Sequence, residues 1–144
     1  MSGDHAHRRC QHCDKMGGRR AGNRGCHSLL EGNKLVAPDL FIAECANILW
    51  KKVRRKGLSL AEGRFAAMLI ESAEIELVEM RPLLQDASQI AFELDHPAYD
   101  CMYLALAVRD GCSFITADGT LVRKIRQSAN QKLQQAVRML GEPF

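Results

Sequence analysis

The sequence predicts an α/β domain in which a parallel sheet carries helices on both faces. Three observations lead there. Strand-type apolar runs alternate with helical stripes in the order strand, helix, helix, strand, helix, helix, strand, helix, and such alternation closes a parallel sheet through helical crossovers. The unit at residues 96–118 is the clearest: Pro97 opens a helix rich in Ala, Leu and Met, Gly111 ends it as a left-handed C-cap, and residues 112–116 form a short apolar strand. Finally, 144 residues suit one domain burying roughly two-thirds of its unfolded surface. A run of 18 or more apolar residues is absent, and the basic N-terminus lacks an apolar core of signal-peptide type. The expectation is a cytoplasmic protein with no membrane span.

Residues 1–28 differ from everything after them. They hold Gly, Arg, His and Cys with almost no aliphatic side chain, so no periodicity exists to bury and the segment is expected to be a disordered, basic leader to a domain at 29–144. Residues 1–34 carry seven Lys or Arg against three acids, a net +4, whereas the remainder is near neutral. Cys10, Cys13 and Cys26, with His12 and His27 nearby, superficially match a zinc site. The adjacency of Cys26 and His27 argues against one, because neighbouring residues rarely point at the same ion. A disulfide is disfavoured in a cytosolic chain. The contrast in composition also fits translation from an alternative reading frame or a misplaced start.

The elements then follow in order. Residues 35–38 are extended, with Pro38 holding its predecessor out of the helical region. Asp39 is expected to cap a helix over 40–56, whose Phe41, Cys45, Ile48 and Leu49 share a face beside Ala46, Trp50 and Val53, a stripe wide enough for the core. Gly57 ends it. The pattern Ser59-Leu60-Ala61-Glu62 is a capping box opening a helix through Phe65, Met68 and Leu69. Residues 75–80 alternate as a strand with Ile75, Leu77 and Met80 inward. Pro82 suits the first turn of a helix whose Leu83, Leu84, Ala87, Ile90, Ala91 and Leu94 form a stripe ending before Pro97. Past residue 118, Leu121, Val122 and Ile125 mark a short helix, and 133–140 a last helical turn or two before Gly141.

Chemistry centres on three acids. Asp100 lies in the first turn of its helix, Asp118 just beyond the strand at 112–116, and Glu44 beside the apolar stripe of the first helix, with Asn47 one turn on. Strand C-terminal ends are where ligand sites gather in open α/β sheets. Each acid has a plain structural reading as well: a helix first turn favours an acid through the dipole, and Glu44 can reach solvent at a helix edge. Clustered carboxylates repel unless a cation joins them, and hard oxygen ligands suit Mg²⁺ or Mn²⁺. Five cations in six positions, Lys51, Lys52, Arg54, Arg55 and Lys56, can hold phosphates or simply complement a helix C-terminus.

Pro38-x₅-Glu44-x₂-Asn47, Tyr99-Asp100-x₂-Tyr103-Leu104-Ala105-Leu106-Ala107 and Phe114-Ile115-Thr116-Ala117-Asp118 together resemble the PIN domain, in particular the VapC-type toxins of toxin–antitoxin pairs. The resemblance implies a Mg²⁺- or Mn²⁺-dependent endoribonuclease, with Glu44, Asp100 and Asp118 holding the metal and Thr116 hydrogen-bonding within the site. It further implies an RNA substrate, a cognate antitoxin and a homodimer. One departure concerns the first strand, which in this family is apolar and ends in an aspartate. Residues 1–28 show no such run, so that strand is expected to be missing or replaced, and its role is carried over neither to Asp4 nor to Asp14. The competing readings are a non-catalytic PIN-like protein that binds an antitoxin or RNA, and a zinc-binding nucleic-acid module in the leader.

Overall fold

The computed structural model describes residues 10–13 and 34–142. Five parallel strands form one sheet in the order β3-β2-β1-β4-β5. They are β1 (Cys10–Cys13), β2 (Lys34–Pro38), β3 (Ile75–Val78), β4 (Ser113–Thr116) and β5 (Val137–Met139). Among the described residues six helices connect and cover them: α1 (Leu40–Arg54), α2 (Leu60–Glu71), α3 (Leu84–Leu94), α4 (Ala98–Asp110), α5 (Gly119–Gln127) and α6 (Gln131–Ala136). None of them is long and apolar enough to cross a membrane.

The expected first strand is replaced rather than missing. Cys10–Cys13 lies between β2 and β4, with Gln11 opposite both Leu35 and Ser113, and Cys13 opposite Ile115. Irregular structure was the expectation for these four residues, because they show no apolar alternation. Their backbone donors and acceptors nonetheless complete both neighbouring ladders, which would otherwise be left open at the centre of the sheet. Of the other N-terminal residues singled out above, Asp4, Asp14, Cys26 and His27 lie outside the described residues.

Helix α4 is the hub. Its Cys101, Tyr103, Leu104, Ala105, Leu106 and Ala107 are all buried, and it packs against α3, β2, β4 and α6. A helix apolar on nearly every side belongs in the interior. Gly111 ends it at φ 66° as expected, and Cys112 NH bonds back to the Ala107 carbonyl at 2.9 Å. Leu83, Ala87, Ile90 and Leu94 pack on the same core, after a 3₁₀ turn at Arg81–Leu83 that contains Pro82. The capping box at α2 is present, with Ser59 Oγ accepting from Glu62 NH at 3.2 Å and Glu62 Oε2 from Ser59 NH at 2.7 Å.

Five expectations are corrected. Asp39 flanks α1 in helical conformation and makes no side-chain cap. Although Leu40 and Phe41 pack against the core, no residue of α1 is fully buried, and Trp50 is 54% exposed. The stripe was real, but α2 covers only part of it. The left-handed residue past α1 is Lys56 at φ 58°, one before Gly57. On β3 the residues that meet the core are Ile75 and Val78, while Leu77 is left 42% exposed, because this edge strand is only partly covered. The segment expected to be a last helix is α6 followed by β5, which pairs with β4 through Phe114 opposite Val137.

Candidate metal centre

The strands all run the same way, so the residues that follow β2 and β4 and the first turn of α4 meet near one edge of the sheet. The expected acids come from these places. Asp100 is buried, 7% exposed, in the first turn of α4 behind Pro97, whose extended backbone (ψ 136°) turns the chain into the helix. Asp118 follows β4 and caps α5: its Oδ1 accepts from Thr120 NH at 2.8 Å and Leu121 NH at 3.0 Å. Both caps fall on the same oxygen, so Oδ2 is left for other work. Thr116, fully buried at the end of β4, accepts from Asp118 NH at 3.0 Å through Oγ1 and thereby fixes the turn that aims the carboxylate.

A third member was not among the expected ligands. His96 Nε2 lies 2.8 Å from Asp100 Oδ2, both side chains being about nine-tenths buried. Ligand atoms of His96, Asp100 and Asp118 all lie within 4.8 Å of one another. The donor set fits a divalent cation. At bond lengths of about 2.1 Å, neighbouring ligands of an octahedral ion stand roughly 3 Å apart and opposite ones roughly 4 Å. The signal that would have found His96 is its spacing four residues before Asp100, which is obscured because Pro97 places it outside the helix.

Glu44 is held differently. Tyr103, three residues beyond Asp100 on α4, donates its hydroxyl to Glu44 Oε2 at 2.7 Å. The tyrosine ring is wholly buried and tilted against Phe114 of β4, with centroids 6.3 Å apart, so the donor is rigid. Glu44 thus borders the cluster through α4 without belonging to the group of three. Among the described residues, the expected zinc ligands Cys10, His12 and Cys13 contribute to the β1 backbone.

Neighbouring thiols register the negative charge of these acids. Cys101 is pushed up to about 12, chiefly by burial and then by the adjacent Asp100 carboxylate, with Lys124 pulling the other way. Cys45 is also raised, by burial first and Glu44 second. Lys124 sits on α5, donating to the Asp95 carbonyl.

A family model described as "PIN domain" matches residues 18–126, and the chain belongs to that family. It is 35% identical over 98 residues to Ribonuclease VapC3 of Pyrobaculum aerophilum, an alignment covering 65% of this chain and 73% of that protein. The crystal structure of PAE2754, also from Pyrobaculum aerophilum, superposes with a TM-score of 0.57 at 25% identity, covering 74% of this chain and 67% of the other. The family match begins after β1, so the strand Cys10–Cys13 lies outside it.

Proposed function

We propose that this protein is a metal-dependent endoribonuclease of the VapC toxin type, hydrolysing RNA phosphodiester bonds. The observation that carries the reading is the convergence of Asp100 and Asp118, from the start of α4 and the end of β4, on a space of cation size. Family membership and the likeness to a protein named as a ribonuclease support it.

Asp100 and Asp118 hold the ion, with Glu44 at the border of the site; Mg²⁺ and Mn²⁺ are the ions that carboxylate donors suit. Such an ion, when bound, lowers the pKa of a water and offsets charge on the phosphoryl oxygens. The chain's own residues supply position. Pro97 and the α4 helix fix Asp100, Thr116 fixes the Asp118 turn, and the Tyr103 hydroxyl orients Glu44. Lys51, Lys52, Arg54, Arg55 and Lys56 are exposed at the far end of α1, with the Arg54 guanidinium 5.3 Å from the centre of the Trp50 ring. From Glu44 to Arg54 is about 15 Å along the helix, a reach that lets these cations take backbone phosphates of an RNA whose scissile bond lies at the acids.

A protein partner is part of the reading, as an antitoxin and a second copy of the chain. It is supported by exposed apolar side chains on α1 and α2, among them Ile42, Trp50, Phe65, Met68 and Leu69, beside that basic cluster. The proposed location is the cytoplasm.

Incubation of purified protein with RNA, with and without divalent ions, tests the activity. Cleavage should require Mg²⁺ or Mn²⁺, stop on chelation and return when the ion is restored. Cleavage that survives EDTA, or RNA binding without turnover at any metal concentration, would overturn the reading.

A further inference from the structure

The acids of the site have an expected role; His96 does not. Its imidazole is 9% exposed and lies against the buried Asp100, yet a histidine–carboxylate pair needs no third partner. Here a second carboxylate, Asp118 from a different element, reaches the same space. The backbone that carries the ring is also pinned. His96 NH bonds to the Ala91 carbonyl at 3.2 Å, just past the left-handed Asp95 at φ 46°, and Pro97 fixes the chain on the other side. The imidazole is therefore presented to the acids by a rigid corner between α3 and α4.

Resting on the metal-site reading above, we propose that His96 Nε2 is itself a ligand of the ion, so that the centre is a mixed nitrogen and oxygen site rather than an all-carboxylate one. The 2.8 Å between Nε2 and Asp100 Oδ2 is close to the separation of about 3 Å between neighbouring ligands on an octahedral ion. A cation can take up both atoms with little movement of either side chain. Imidazole favours first-row transition ions, and Mg²⁺ prefers oxygen. His96 accordingly tilts the site toward Mn²⁺ among the ions this family of acids accommodates. A histidine serving only as a counter-ion to the two acids would confer no such preference.

Pulsed EPR on the full-length protein loaded with one equivalent of Mn²⁺ tests this directly. The expected spectrum shows ¹⁴N modulation from a coordinated imidazole, absent in His96→Gln. In competition titrations the preference for Mn²⁺ over Mg²⁺ should fall by about tenfold in His96→Gln. Mn²⁺ bound with no ¹⁴N modulation, or modulation that persists in His96→Gln, overturns the assignment of His96 while leaving the metal site standing. Mn²⁺ binding that is unaffected by Asp100→Asn removes the site itself, and this proposal with it. The spectrum of the unaltered protein decides the question even if the variant folds poorly.

Discussion

Asp118 has a structural role in the fold and a metal-holding role in the proposed function, and substitutions can separate the two. Its Oδ1 caps α5, which any short side-chain acceptor can do, whereas holding a cation needs the negative charge. Asp118→Asn should keep the melting temperature near that of the parent and lose metal binding. Asp118→Ala should lose both, with about 1 kcal/mol of stability gone in urea unfolding. Tyr103→Phe deletes the hydroxyl that meets Glu44 without disturbing the ring stack on Phe114. It should cost about 1 kcal/mol and slow RNA cleavage, since Glu44 is then less firmly placed. The positions of Asp100 in a helix first turn and Asp118 past a strand were legible, whereas their grouping with Glu44 as metal ligands came from the resemblance alone. His96 was not legible, because a residue ahead of a proline N-cap is not counted among the helix-face neighbours of Asp100.

Between elements, α1 and α2 meet tightly at Gly63, buried on α2, where an added Cβ would stand 2.7 Å from Val53 Cγ2. Valine is stiff at χ1, so the neighbour cannot swing aside. Gly63→Ala gains up to about 1 kcal/mol of helix propensity, but overpacking costs about 1–3 kcal/mol, and a net loss of stability is expected. Val53→Ala should relieve it, so a double-mutant cycle would return a coupling of opposite sign to the single losses; strict additivity would show that the two helices are not in register here. The elements that sequence periodicity captured are those with enough residues to repeat. Helices α2, α3 and α4 fall in this group, helped by the capping box and Gly111, whereas the four-residue β4 was marked by its apolar run after Gly111. Strand β5 has three residues and β1 lacks any apolar alternation, so neither offers a pattern to detect. The stripe on α1 was legible too, but a stripe does not say how fully its neighbour will cover it.

For the molecule as a whole, the order β3-β2-β1-β4-β5 places β2 and β4 either side of β1, and so brings acids distant in sequence to a shared edge. The interior beneath that edge is closed to ionisation of its buried thiol. Burial, and after it the Asp100 carboxylate, pushes the Cys101 thiol up to about 12 from an ordinary value of 9.0. Its folded value is the higher one, so the stability that comes from keeping the thiol neutral is complete below pH 9 and is lost as pH rises toward 12. Urea unfolding across that window should show a steeper decline for the parent than for Cys101→Ala, and alkylating reagents at pH 8 should leave Cys101 unmodified in the native state. In the proposed function, Asp100 and Asp118 at this edge of the sheet would hold the divalent ion that RNA cleavage requires. The most direct test measures Mn²⁺-dependent RNA cleavage and thermal stability side by side in the parent and Asp118→Asn. The expected result is an unchanged melting temperature with cleavage reduced by at least about a hundredfold. Cleavage retained at the parent's rate in a folded Asp118→Asn would contradict the account.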